Sequence, residues 1–237
     1  MTMKDFNGKS MGAGRGILPG WFVCTIIALV LIADQLLKFW VKLNFFLGED
    51  LELTSWFHLK FIENNGFAFG IEWLNKYVLT FGRIIAVVFF IWAMARFLKM
   101  GELRKGFIVS FALIIAGAAG NIFDCVFYGE IFDNPMPPGI AVLFPQGGGY
   151  AGWFEGRVVD MLYFPFFSFV WPDWVPGVGG TEFEFFQYIF NIADSAITIG
   201  VLMMLIFYHK DASIALNHIF GENTKQAENT SGKKRLK

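Results

Sequence analysis

Four stretches of this chain are apolar for about twenty residues each: 17–40, 77–98, 107–128 and 187–208. About twenty residues at 1.5 Å each is the length a helix needs to cross the hydrocarbon core of a bilayer. In lipid each backbone N–H and C=O must find its partner inside the segment, so helices are the form open to such runs. The expected fold is an all-α polytopic membrane protein with four transmembrane helices and a small outward-facing β or irregular subdomain. Residues 1–208 read as one membrane-embedded domain, and 209–237 as a cytoplasmic, largely disordered tail. Composition agrees, with 55% hydrophobic and 16% charged residues, against about 25% charged in soluble domains. A net charge of -1 carries no sign of nucleic-acid binding.

The first run follows Lys4, Lys9 and Arg15, as in a secretory signal peptide. No small-x-small cleavage site follows, and the chain continues into Asp34, Gln35 and Lys38, so a retained anchor is the better reading. Basic residues then set the topology. They gather in the N-terminal tail, in the 2–3 loop (Lys99, Arg104, Lys105) and in the C-terminal tail. Segment 129–186 has Arg157 against seven acidic residues. The positive-inside rule puts both termini in the cytoplasm and segments 42–76 and 129–186 outside. Trp and Tyr cluster in those outer segments, as in an interfacial belt. LTSWFHLKFIENN (53–65) reads as strand. MLYFPFFSFVW (161–171) is short, contains Pro165 and reads as an interfacial or re-entrant piece. Cys24 and Cys125 read as buried free thiols, too few for a disulfide framework or a metal site.

Polar residues inside the runs need a reason, because charge in a membrane is costly and marks function by default. DQLLK places Asp34 and Lys38 four apart on one helix face, an ion-pair geometry; a pair anchoring the helix end is an equal reading. ENNGFAFG offers the Asn64 and Asn65 amides and a turn at Gly66; a plain turn is the alternative. GAAGNIFD has small residues suited to close helix packing, then Asn121 and Asp124. FNIAD puts Asn191 and Asp194 on one face of the fourth run. GRVVD ends in Asp160, after a strand-like stretch. If the chain folds back there, Asp160 meets Asp194. Two close carboxylates in a low-dielectric site share a proton. One can take a proton from water while the other gives one to a carbonyl oxygen. No GxSxG, HExxH or Cys/His pair offers a rival nucleophile.

These blocks together, DQLLK (34–38), NNGFAF (64–69), GAAGNIFD (117–124), GRVVDMLYF (156–164) and FNIADSAI (190–197), resemble the lipoprotein signal peptidases, the type II signal peptidases of bacteria. The resemblance spans roughly residues 25–205. It implies a membrane aspartyl endopeptidase that cuts on the N-terminal side of a diacylglyceryl-modified cysteine in prolipoproteins. By it the catalytic pair is Asp160 and Asp194. Asn64, Gly66, Asn121, Asp124, Asn191, Asp34 and Lys38 bind substrate or support the site. The family uses no metal or organic cofactor and is inhibited by globomycin-type cyclic peptides. The implied setting is a bacterial cytoplasmic (inner) membrane, with the site near the outer face, lipid around it and a monomer sufficient.

Two features depart from the family. Arginine usually follows the GNxxD aspartate, and here the residue is Cys125; Arg157 is the candidate replacement. The second aspartate usually comes within about ten residues of the first. Asp133 has that spacing, while Asp160 has the local sequence and the apolar residues after it. The reading favours Asp160. It makes 134–155 a Gly- and Pro-rich insertion, either a lid built with 171–183 or a passive loop. The rival function is a small proton- or ion-coupled transporter with intramembrane Asp residues, but no repeat is visible and the acidic residues lie toward one face.

Overall fold

The computed structural model describes residues 17–65 and 76–234, with the side chains of the last helix as far as Gly221. The basic residues Lys4, Lys9 and Arg15, the turn residue Gly66 and Trp73 fall outside the described residues. The elements are α1 (Gly20–Asn44), β1 (Asp50–Thr54), β2 (Phe57–Asn64), α2 (Lys76–Phe97), α3 (Lys105–Ile131), β3 (Val158–Tyr163), β4 (Phe167–Val170), β5 (Glu182–Phe185), β6 (Ile189–Phe190), α4 (Ile192–Phe207) and α5 (His209–Lys234). Helices α1, α2 and α3 are long and apolar enough to cross a membrane. A fourth span exists if α4 and the first part of α5, bent by 97° at Tyr208, count as one.

The chain forms two compact units. The first comprises Met1–Leu29, Ala86–Ala116 and Ala196–Lys237. Its core packs Val23, Ala93, Met94, Phe97, Phe107, Ile108, Ala112 and Ile115 with Ala215 and Ile219 of α5. This corrects the expected disordered tail from residue 209. His209–Gly221 carries an apolar stripe at helical spacing, and burying it orders the segment. Arg104 fastens the bend: it pairs with Asp211 at 2.6 Å, donates Nη2 to the Phe207 carbonyl at 2.5 Å, and lies 4.7 Å from the Tyr208 ring centroid. The last α4 carbonyl, which has no partner within its own helix, is thereby satisfied. Cys24, on α1, is free and exposed rather than buried as expected. An apolar helix in lipid has no need to turn a thiol inward.

The second unit, Val30–Ile85 with Gly117–Ser195, holds a four-stranded sheet in the order β1-β2-β3-β6, antiparallel throughout. A two-stranded ribbon, β4-β5, stands beside it in sequence. The all-α description therefore applies only to the spans. Residues 161–171 are no re-entrant piece. They end β3 and form β4, with Pro165 in the break between strands, where its missing N–H costs no ladder bond. The expected fourth span also begins late, at Ile192 rather than 187, because Ile189 and Phe190 pair with Tyr163 and Leu162.

One face of the sheet, Leu59 and Phe61 of β2 with Val159 and Met161 of β3, is buried against Val41, Phe45, Tyr128 and Phe132. Alternation then turns Asp160 and its partner Ile62 to the opposite face. Segment 134–155 runs back along the end of α3. The amides of Phe144, Ala151 and Tyr150 bond the carbonyls of Ile131, Gly129 and Phe132 at 2.8, 3.0 and 2.9 Å. Gly149 and Gly156 lie so close to the α3 backbone that a Cβ on either would collide with it. Ala141 enters the core. The segment is thus integral to the unit and not a passive loop. Deleting 136–150 is expected to strip these caps and lower the thermal unfolding midpoint in detergent by several degrees. An unchanged midpoint would contradict this account.

Candidate active site

Every described residue singled out in the sequence blocks lies in the second unit. On α1, Asp34 and Lys38 face the same way, one turn apart. Lys38 Nζ pairs with Asp34 Oδ2 at 2.9 Å and with Asp124 Oδ2, on α3, at 2.7 Å. It also donates to Asn121 Oδ1 at 2.9 Å. Asp34, Lys38 and Asp124 are all 1% exposed or less. One ammonium serves two carboxylates, and neutral donors satisfy the remaining oxygens. Gln35 Nε2 donates to Asp124 Oδ1 at 2.8 Å and to Asp34 Oδ2 at 3.1 Å. The Val159 amide donates to Asp124 at 3.3 Å. The Ala193 amide, in the first turn of α4, donates to Asp34 Oδ1 at 2.9 Å, where a helix dipole favours an anion. Gly120 makes this approach possible: a Cβ there would sit 2.9 Å from Asp34 Oδ2 and 3.2 Å from the Ala193 Cβ. The glycine at 120 thus has a local reason.

Asn191 joins the two candidate catalytic aspartates. Its Nδ2 donates to Asp160 Oδ1 at 2.6 Å, and its Oδ1 accepts the Asp194 amide at 2.8 Å. Asn191 Nδ2 also donates to Asn121 Oδ1 at 3.2 Å. Asn121 Nδ2 donates to Asp194 Oδ1 at 2.7 Å. Asn64, at the end of β2, donates to Asp160 Oδ2 at 3.4 Å. Asp160 is 3% exposed, whereas Asp194 is half-buried. Burial, then the charge of Asp194, push the Asp160 carboxyl up to about 7, against the Asn191 hydrogen bond, Lys38 and the Asn64 hydrogen bond. A carboxyl in that range exchanges its proton near neutrality, as an acid catalyst must.

Asp133 stands apart from this network. Its Oδ1 accepts the Val142 amide at 2.6 Å, closing a turn of the 134–155 segment. Arg157, the expected substitute for an arginine at Cys125, pairs instead with Glu63 Oε2 at 3.0 Å and stacks on Tyr150 at 5.0 Å. Arg83 of α2 is the guanidinium beside Cys125, donating to its Sγ at 3.4 Å. Gly66 falls outside the described residues. Among these residues no group of three His, Cys, Asp or Glu side chains is arranged to hold a metal ion.

The sequence reading missed Gln35, whose Oε1 accepts the buried Tyr128 hydroxyl at 3.0 Å. It also missed the Lys42–Glu63 ion pair, in which Glu63 is shared with Arg157. Lys42 is 1% exposed and flanked by the rings of Phe132, Tyr150 and Phe61. A second lysine one turn beyond Lys38 on an apolar helix was a usable signal for that pair.

A family model described as signal peptidase (SPase) II matches residues 26–210. Lipoprotein signal peptidases from Porphyromonas gingivalis are 46% identical over 198 residues, 84% of this chain and 87% of the relative. That of Amoebophilus asiaticus is 37% identical over 203 residues, 82% of this chain and 79% of the relative. Two solved bacterial membrane enzyme structures, at 2.3 Å and 1.9 Å resolution, each match with a TM-score of 0.53 and 25% identity. They cover 85% and 82% of this chain, and 95% and 96% of their own.

Proposed function

The chain belongs to the signal peptidase II family, and from that premise we propose that it is an aspartyl endopeptidase of diacylglyceryl-modified prolipoproteins. Membership makes it a membrane protease, and the transporter alternative has no support among its relatives. The finer reading rests on one observation: a single side chain, Asn191, is bonded both to Asp160 and to the Asp194 backbone.

In this proposal the two carboxyls hold one proton. Asp160 carries it and donates it to the scissile carbonyl oxygen. Asp194 takes a proton from a water whose oxygen bonds the carbonyl carbon. Collapse of the tetrahedral gem-diol breaks the C–N bond. The leaving nitrogen takes the proton held on Asp194, while Asp160 recovers its own from the gem-diol. The products are the signal-peptide carboxylate and a free amine on the lipidated cysteine. Asn121 and Asn191 orient the pair. Asp34, Lys38 and Asp124 fix α1, α3 and the start of α4 around it. Asn64 supports Asp160 or the substrate backbone, with Gly66 beyond it in the same block. No metal or organic cofactor enters these steps. The site lies near the outer face of a bacterial cytoplasmic (inner) membrane, with both termini cytoplasmic. A monomer suffices, and globomycin-type peptides inhibit it.

Purified protein in detergent, given a prolipoprotein with and without its diacylglyceryl group, is expected to cut only the modified form, at the peptide bond immediately before the lipidated cysteine, as read by mass spectrometry. Cleavage of neither, or of both equally, would overturn the assignment. The rate is expected to fall as pH rises through about 7, where Asp160 loses its proton. The Asn64 hydrogen bond favours the ionised form, so removing it raises the Asp160 pKa. Asn64→Ala should therefore carry the alkaline limb to higher pH. A limb that stays or moves lower would remove Asp160 from the role of proton donor.

A further inference from the structure

The β4-β5 ribbon has no part in the network above, and its two faces differ sharply. Phe167 pairs with Phe185 and Phe169 with Phe183, on one face. Ser168 pairs with Glu184 and Val170 with Glu182, on the other. The aromatic pairs are packed, with ring centroids 4.9 Å apart for Phe167–Phe185 and 5.0 Å for Phe169–Phe183. They are nevertheless open to solvent: Phe167 is 52% exposed, Phe185 45% and Phe169 40%. Phe166 and Phe186 at the base and Trp174 at the tip are exposed as well. Six large aromatic side chains at about half exposure present on the order of 500 Å² of apolar surface, as much as a binding patch usually offers. A two-stranded ribbon alone in water is marginally stable at best, so this one needs a surface to rest on.

We propose that the aromatic face of the β4-β5 ribbon seats in the interfacial layer of the bilayer, with the Glu182 and Glu184 face turned to water. Three observations choose lipid over a protein groove. The ribbon leaves β3 at Tyr163 and returns through β6, which ends one residue before α4, in a chain with at least three membrane-length helices. Phe164, Phe166, Phe186 and Phe190 link the ribbon base to β6 through ring contacts of 5.6–6.1 Å. Aromatic rings are the side chains that favour the headgroup level. Finally, the opposite face is acidic, so anionic headgroups do not draw the ribbon down. Its attachment is apolar and insensitive to salt.

The test uses the full chain in phosphatidylcholine nanodiscs, in a Cys24→Ser background where Cys125 is buried. An environment-sensitive fluorophore is attached at Phe169→Cys or at Glu184→Cys, and lipid carrying a nitroxide near its headgroup serves as quencher. The label at 169 should emit at shorter wavelength and be quenched several-fold more than the label at 184. The difference should persist at about 1 M salt, where screening confines charge effects to about 3 Å. If Phe169→Cys unfolds, Phe185→Cys reads the same face. Equal quenching at the two positions, or loss of the difference in salt, would overturn the proposal. So would a label at 169 that lipid leaves unquenched but added lipopeptide shields, since the ribbon would then face substrate. The readout does not depend on proteolysis, so it stands or falls apart from the catalytic assignment.

Discussion

Replacing Asp160 or Asp194 by Asn is expected to lower the rate of prolipoprotein cleavage by about a thousandfold each, within the range general acid–base groups contribute, while Asp133→Asn keeps a near wild-type rate. Asn has the shape of a protonated Asp but can neither give up nor take the proton that the hydrolysis moves. At 160 the substitution retains an oxygen for the Asn191 amide and removes a carboxyl that is costly to ionise. Asp160→Asn should therefore unfold no earlier than wild type. Inactivity without lost stability separates a proton-transfer role from a structural one. The double variant should be no slower than either single one, because the pair acts as a unit. Asp133 accepts the Val142 amide in a turn, so its change costs at most about 1 kcal/mol of stability and no chemistry. An active Asp160→Asn beside an inactive Asp133→Asn would move the dyad into the earlier loop.

How far the sequence foretold this arrangement depended on whether a feature was local. The span read at 77–98 and the helix Lys76–Phe97 agree because twenty apolar residues in lipid have one solution. The strand character of β2 was visible in its own mixture of Phe and Ile with polar residues, whereas its pairing with β1 was not. Where a partner lay far off, the reading failed. The start of α4 was placed five residues early because only pairing with β3 makes Ile189 and Phe190 a strand. Arg157 was assigned to Cys125, thirty-two positions away, yet its partner is Glu63, ninety-four away. Gln35 was given no role in the site because its partners, Asp124 and Tyr128, lie on α3. Residues 167–170 read as part of one apolar piece, 161–171, because the two faces of the ribbon separate only once the Phe167–Phe185 register is known. The candidate site residues stood out in the sequence because carboxylates and amides in apolar runs are too costly to be idle.

The largest stability effect should come from Lys38→Met. The side chain is fully buried, and its ammonium is held between Asp34 Oδ2 and Asp124 Oδ2 at 2.9 and 2.7 Å. Met fills nearly the same volume, so little packing is lost. What is lost is the cation. Asp34 keeps the Ala193 amide and Gln35, and Asp124 keeps Gln35 and the Val159 amide. These neutral donors cannot balance two carboxylates buried side by side. Breaking a buried ion pair from one side costs about 3–5 kcal/mol, which in a chain of this size lowers an unfolding midpoint by roughly 10 °C. Adding Asp124→Asn to Lys38→Met removes one of the stranded charges and should recover much of the loss, because deleting both partners of a buried pair is far less costly than deleting one. Thermal unfolding of the single and double variants in the same detergent measures this directly. If the double variant is as unstable as the sum of the singles, the three helices are held by packing alone, and the lysine does not tie them together.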